Sequence, residues 1–190
     1  GAGDVIFEDF VADGVIDEND KQIIGNPNPD FVGTLSSRIG YKGVNLDILF
    51  NYSYGNDVYN FIRRQLESVS DVHNQSTAVL NRWRSENDVT SMPKAVWGDP
   101  AGNARFSDRW IEDASYLRLK TLCLSWELPY HIPMVQNLTV WASGNNLWTG
   151  TKYLGGDPET SISSRALYQG IDIGLTPQSP SFYIGVKIGL

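Results

Sequence analysis

A period of two, repeated in five long stretches, is the feature that most narrows what this chain can fold into. From Phe31, the residues Phe31, Gly33, Leu35, Ser37, Ile39 and Tyr41 fall on one side of an extended backbone, and Thr34, Ser36, Arg38 and Gly40 on the other. Beyond a tight turn at Lys42-Gly43, Val44, Leu46, Ile48, Phe50, Tyr52 and Tyr54 take one side while Asn45, Asp47, Asn51 and Ser53 take the other. Similar alternation returns near 116–128, 138–147 and 181–190, and the apolar phase changes between Leu119 and Leu122, which predicts a β-bulge near Thr121. The expected fold is therefore mostly β: an antiparallel meander of about five long strands near 31–41, 44–54, 116–128, 138–147 and 181–190.

Two long loops, 55–115 and 148–180, interrupt the meander. In the first, Val58, Phe61, Ile62, Leu66 and Val69 share a helical face behind Asn56 or Asp57 as N-cap, and a second short helical stretch carries Val79, Leu80 and Trp83. The other connections are short: Lys42-Gly43 and a proline-bounded turn from Pro129 to Pro133. Strands of roughly ten residues, joined by alternating short and long connections, match transmembrane β-barrels, in which a tilted strand of about that length crosses the bilayer. No apolar run exceeds three residues, so a membrane-spanning helix is excluded while a barrel is not. Five strands cannot close a barrel, whose smallest common form has about eight, and open edges do not persist in lipid. The barrel reading thus requires either a larger protein or self-association. The alternative is a soluble calcium- or carbohydrate-binding β module, a sandwich with no transport role.

Charge is unevenly placed. The net charge is -7, and residues 1–20 hold seven acids with no Lys or Arg, so the rest of the chain is balanced and offers no basic surface for nucleic acid. Residues 1–30 stand apart as an acidic segment ending in Asn26-Pro27-Asn28-Pro29. Within it, Asp9, Asp13, Asp17 and Asp20 fill positions 1, 5, 9 and 12 of a calcium-loop spacing, Gly14 fills the turn at position 6, and the Val15 carbonyl suits position 7. Calcium is the expected cofactor there, although Val11 at position 3 has no side-chain oxygen. Exposed-looking rings in the long loops, Trp97, Trp110, Trp148 and Tyr153, are candidates to stack on a sugar, against the alternative that they pack their own loops.

No catalytic constellation emerges. Glu112-Asp113 and the Asp157/Glu159 pair carry no geometry by themselves, His73 and His131 lie far apart, and no nucleophile elbow or phosphate loop is present. A single cysteine, Cys123, excludes an internal disulfide framework. The expectation is a protein without enzymatic activity.

Several segments resemble the C-terminal region of SusC/RagA-type TonB-dependent outer-membrane transporters, in order along nearly the whole chain. They are Gly3-Asp4-Val5-Ile6-Phe7-Glu8-Asp9 with Asp13-Gly14-Val15-Ile16-Asp17, Ile24-Gly25-Asn26-Pro27-Asn28-Pro29, and Leu80-Asn81-Arg82-Trp83. Further on come Asn103-Ala104-Arg105-Phe106-Ser107-Asp108-Arg109-Trp110-Ile111-Glu112-Asp113, Ser115-Tyr116-Leu117-Arg118-Leu119-Lys120, Asn145-Asn146-Leu147-Trp148-Thr149 and Gly185-Val186-Lys187-Ile188-Gly189-Leu190. The resemblance implies the C-terminal part of a large plugged barrel in the outer membrane, of about 22 strands. It also implies import of a nutrient, a glycan being the expectation, with a surface SusD-like lipoprotein and the TonB complex as partners of the full-length protein.

Overall fold

The computed structural model describes residues 1–129, 135–163, 165 and 168–189. The expected Pro129–Pro133 turn lies outside these residues apart from Pro129, as do His131 and the last expected strand residue, Leu190. In chain order the elements are β1 (Phe31–Tyr41), β2 (Val44–Tyr54), β3 (Asp57–Asn60), α1 (Phe61–Leu66), β4 (Ile111–Asp113), β5 (Tyr116–Glu127), β6 (Asn137–Thr151), β7 (Ile171–Asp172) and β8 (Ser181–Gly189). Three short 3-10 turns join them, at Glu18–Asp20, Thr77–Asn81 and Asp108–Trp110. No helix among the described residues is long and apolar enough to cross a membrane.

The chain forms two compact units. One comprises Gly1–Pro27, Val58–Glu112 and Ser161–Leu175, and the other Asn28–Asp57, Asp113–Thr160 and Thr176–Leu190. The acidic N-terminal segment thus clusters with parts of both long loops.

The second unit is a five-stranded antiparallel sheet in the order β1-β2-β5-β6-β8, a meander interrupted only by its long loops. Lys42 and Gly43 both adopt positive φ, 47° and 83°, between the paired residues Tyr41 and Val44. A two-residue hairpin turn of this hand needs that conformation, because it follows the right-handed twist of the strands. Along the sheet, Leu46, Leu124, Ala142 and Ile184 align in one cross-strand row, and Ile48, Leu122, Gly144 and Phe182 in the next. Val44, Trp126, Val140 and Val186 make a third. The opposite face carries Arg38, Asp47, Cys123, Ser143 and Tyr183 in one row, and Thr34, Asn51, Arg118 and Thr149 in another. Register therefore sorts every strand into the same two faces. Gly33 is held open for a ring: a Cβ there would sit 2.5 Å from the hydroxyl of its cross-strand partner Tyr52.

The expected bulge is found at Lys120. Pairing steps from Leu119 directly to Thr121 on both flanks of β5, so Lys120 is skipped in the register with β2 and with β6. On the β6 side Asn146, at φ 52°, absorbs the mismatch.

Among the described residues no packed core lies under the apolar face. Phe31 and Leu35 are each 65% exposed and Ile184 is 88% exposed, and the buried apolar residues of this unit are Ala114 and Tyr153. A contiguous exposed apolar face of this extent marks a surface meant for something other than water.

The first unit has its own core, of Val58, Val69, Val79, Met92, Ala104 and Trp110. A small sheet, β4-β3-β7, runs through it, with Tyr59 opposite Ile171 and Asn60 opposite Asp172 in a parallel pair. Here the helical expectation needs correction. Val58 lies in β3 and the helix starts only at Phe61, capped by Asn60 rather than Asn56 or Asp57: the Asn60 side chain accepts from the Arg63 amide at 2.9 Å. Strand pairing engages Tyr59 and Asn60, with the Tyr59 amide donating to the Gly170 carbonyl at 2.8 Å, and the asparagine at the end of that strand supplies the cap. The second expected helix is the 3-10 turn Thr77–Asn81, capped by Ser76.

Candidate functional site

Three features can carry function: the two-faced sheet, the ionic cluster on its polar side, and the folded loops.

Polar residues on the polar face bond across strands. Arg38 pairs with Asp47, Thr34 Oγ1 donates to Asn51 Oδ1 at 3.3 Å, and Thr121 Oγ1 donates to Asn145 Oδ1 at 3.1 Å. Such a face suits a hydrated lumen, and the opposite apolar face suits hydrocarbon.

Arg118 is the most buried charge of this unit, 2% exposed. Its Nε donates to Thr149 Oγ1 at 2.9 Å, and its two terminal nitrogens donate to Glu159 at 2.7 Å and Asp157 at 2.5 Å. Burial pushes the Asp157 carboxyl up, but the amides of Gln178 and Glu159 and the Arg118 guanidinium outweigh it and hold the group below the usual carboxylate range. Asp157 and Glu159, weighed as paired acids from sequence, are thus the two acceptors of one guanidinium. In the sequence Arg118 stands out only as part of the Ser115-Tyr116-Leu117-Arg118-Leu119-Lys120 segment. Its signal was an arginine at a polar-face strand position together with an Asp-x-Glu pair in the following long loop.

In the first unit, Arg63 bridges Glu67 at 3.3 Å and Glu112 at 2.8 Å, and Asn60 donates to the same Glu112 oxygen at 3.1 Å. Trp110 lies beneath the guanidinium groups of Arg63 and Arg109 and donates its indole N–H to the Arg105 carbonyl at 3.0 Å. Burial lowers the Arg109 pKa. Glu112 is committed to structure, as are Asp99, which accepts from the amides of Asn103 and Ala104, and Asp4, which Asn103 and Lys94 hold well below the usual carboxylate range.

The four rings singled out from sequence separate. Trp110 is 1% and Tyr153 6% exposed, so both pack within their own units, while Trp97 is 73% exposed at a loop tip. Trp148 is a strand residue, not a loop residue: β6 runs to Thr151, and Trp148 pairs with Leu119 on the apolar face. There it belongs with Tyr54, Phe31 and Trp126 as an aromatic near the ends of the apolar band, the position of interfacial girdles.

The acidic loop is folded by its own carboxylates. Asp9 accepts from the amides of Ala12, Asp13 and Gly14, Asp13 from Val15, and Asp20 from Phe10, Val11 and Asp17. Those backbone bonds, that from Asp17 foremost, hold the Asp20 carboxyl below its ordinary value. Asp17 caps the turn Glu18–Asp20. Among the described residues no three Asp, Glu, His or Cys side chains converge so as to hold a metal ion.

No protein-family model matches the chain. It is 29% identical over 98% of its length to TonB-dependent receptor P3 of Formosa agariphila, of which it spans 19%. It is 27% identical over 96% of its length to TonB-dependent receptor SusC of Bacteroides thetaiotaomicron, of which it spans 17%. Among solved structures, it superposes on a chain of the RagAB peptide importer in the closed-closed state with a TM-score of 0.74 and 26% identity, covering 93% of this chain and 20% of that one. In the open-open state the TM-score is 0.73 with 27% identity, covering 89% and 18%. The chain therefore spans about a fifth of the length of the relatives it matches. These relatives are receptors and transporters rather than enzymes. In sequence and in fold alike, the chain matches a segment of the SusC/RagA-type TonB-dependent receptors, proteins of the outer membrane.

Proposed function

We propose that this chain is the C-terminal barrel segment of a TonB-dependent outer-membrane nutrient importer, supplying five lipid-facing strands and two long loops on the outer side. The observation that carries the reading is the continuous apolar face from β1 to β8, which no core among the described residues covers, backed by a polar face across the same strands. Among the described residues β1 and β8 each have a neighbour on one side only, so in the full-length protein further strands pair with both edges. In that protein the partners are a SusD-like surface lipoprotein and the TonB complex.

For the cargo we propose a glycan, on the strength of the exposed Trp97 ring, a flat apolar surface on which a sugar can stack. A peptide cargo is the second reading, favoured by the likeness to the RagAB peptide importer. Uptake of labelled oligosaccharide and labelled oligopeptide by cells carrying the full-length protein decides between them. Uptake should require the proton motive force and be lost when the gene is deleted; uptake of neither ligand, or uptake that persists without the proton motive force, would refute the importer reading.

The acidic loop carries a separate proposal, that calcium draws Asp9, Asp13, Asp17, Asp20 and the Val15 carbonyl around one centre. The spacing supports it, and the three amide bonds to Asp9 pre-fold the turn that such a loop needs. Titration of millimolar calcium, read as heat and as a rise in melting temperature, tests it; no response to either would refute it.

A further inference from the structure

We propose that Arg118 is a latch that pins the base of the 152–180 loop against the polar face of the sheet, holding that base inside the barrel mouth as a fixed wall. The proposal rests on reading the polar face as the lumen face. Arg118 lies on that face, in register with Asn51 on β2 and Thr149 on β6. Its guanidinium joins β6, through Thr149, to the outgoing stem of the loop, through Asp157 and Glu159.

Asp157, 4% exposed, completes the tie. Besides Arg118 it accepts from the Glu159 amide at 3.0 Å on the outgoing stem and from the Gln178 amide at 3.0 Å on the returning stem. One carboxylate therefore closes the loop's neck. Gln178 adds a side-chain bond to Glu159 at 3.0 Å and accepts from Lys120 at 2.6 Å. Lys120 is the bulged residue, and the bulge explains its availability: a residue dropped from the ladder is re-aimed. Two strands and two loop stems thus share one network with its donors and acceptors matched, the condition under which buried polar networks rigidify rather than destabilise. Only arginine offers a planar fork able to serve three acceptors at once. Pinning to the other face is excluded physically, because polar loop stems have no partners in hydrocarbon.

Trypsin added to intact cells that bear the full-length protein tests the latch, with cleavage mapped at Lys152 and Arg165, both exposed. Leaving the buried Asp157 carboxylate without its counter-charge in Arg118→Met raises the open population of the stem, and cleavage follows that population, so the rate should increase about tenfold or more. Arg118→Lys should fall between that variant and the wild type. Abundance in the outer-membrane fraction reports separately on the membrane reading, so failure of that reading and failure of the latch are distinguishable. Cleavage of Arg118→Met within about twofold of the wild type overturns the latch. If Arg118→Met does not assemble, Asp157→Asn and Glu159→Gln are read in its place: both should be cleaved faster than the wild type, Asp157→Asn the faster, and wild-type rates in both overturn the proposal.

Discussion

Replacing Leu122 by arginine in the full-length protein puts the lipid-face assignment at risk. Leu122 lies in the row of Ile48, Gly144 and Phe182, four residues along β5 from the ring of Trp126. At about 3.4 Å per residue and a tilt of about 45°, that places it roughly 10 Å below the girdle, close to the middle of an apolar band about 25 Å tall. A guanidinium at that depth costs about 2–4 kcal/mol, roughly a 30- to 1,000-fold loss in the folded population. Ser143→Arg is the control: Ser143 pairs with Cys123 on the polar face at nearly the same depth, where a charge meets water. Outer-membrane abundance and the heat-modifiable gel shift of folded barrels measure both variants. Leu122→Arg should be depleted and Ser143→Arg should remain near wild type. On a solvated sheet face both substitutions would stay within about 0.5 kcal/mol, and equal abundance of the two, or depletion of Ser143→Arg alone, would refute the assignment.

Three further outcomes are expected. Trp110→Ala removes a ring that is 1% exposed and should cost the loop unit about 3–5 kcal/mol, seen as a lower melting temperature and faster proteolysis between residues 58 and 112. Trp97→Ala should leave melting unchanged within about 0.5 kcal/mol, since its ring is 73% exposed, while reducing glycan uptake; unchanged uptake would remove the ring from the cargo path. Because the folded-state pKa of Asp157 is depressed, its stabilisation is complete above the unfolded value of about 3.9 and is lost as the pH falls through the folded value. Hydrogen exchange at the Glu159 and Gln178 amides should therefore stay slow and flat from about pH 5 to 8, after correction for intrinsic rates, and accelerate only below about pH 4.

Period-two alternation was enough to place five strands and their faces, because a residue's side of an extended backbone depends only on its parity, and burial of one face fixes the register. The phase break between Leu119 and Leu122 likewise announced the bulge. Local chemistry was less decisive elsewhere. The apolar spacing of Val58, Phe61 and Ile62 reads as helix in isolation, yet 57–60 is strand, since partners distant in sequence, such as Ile171 and Asp172, satisfy its backbone first. Trp148 read as a loop ring because strand β6 continues past Asn146 through a distortion that local patterning does not register.

Sequence alone determined the two-faced strands, the alternation of short and long connections between them, and the concentration of the whole net charge in the first twenty residues. Tertiary structure decided what the charges and rings do: that Trp110 and Tyr153 are packing residues, that the acidic loop spends its carboxylates on its own amides, and that Arg118 meets Asp157 and Glu159 some forty residues away. The division has a physical reason. Strand faces follow from a periodicity written along the backbone, whereas the burial and pairing of a side chain are set by whichever distant segment the fold brings against it.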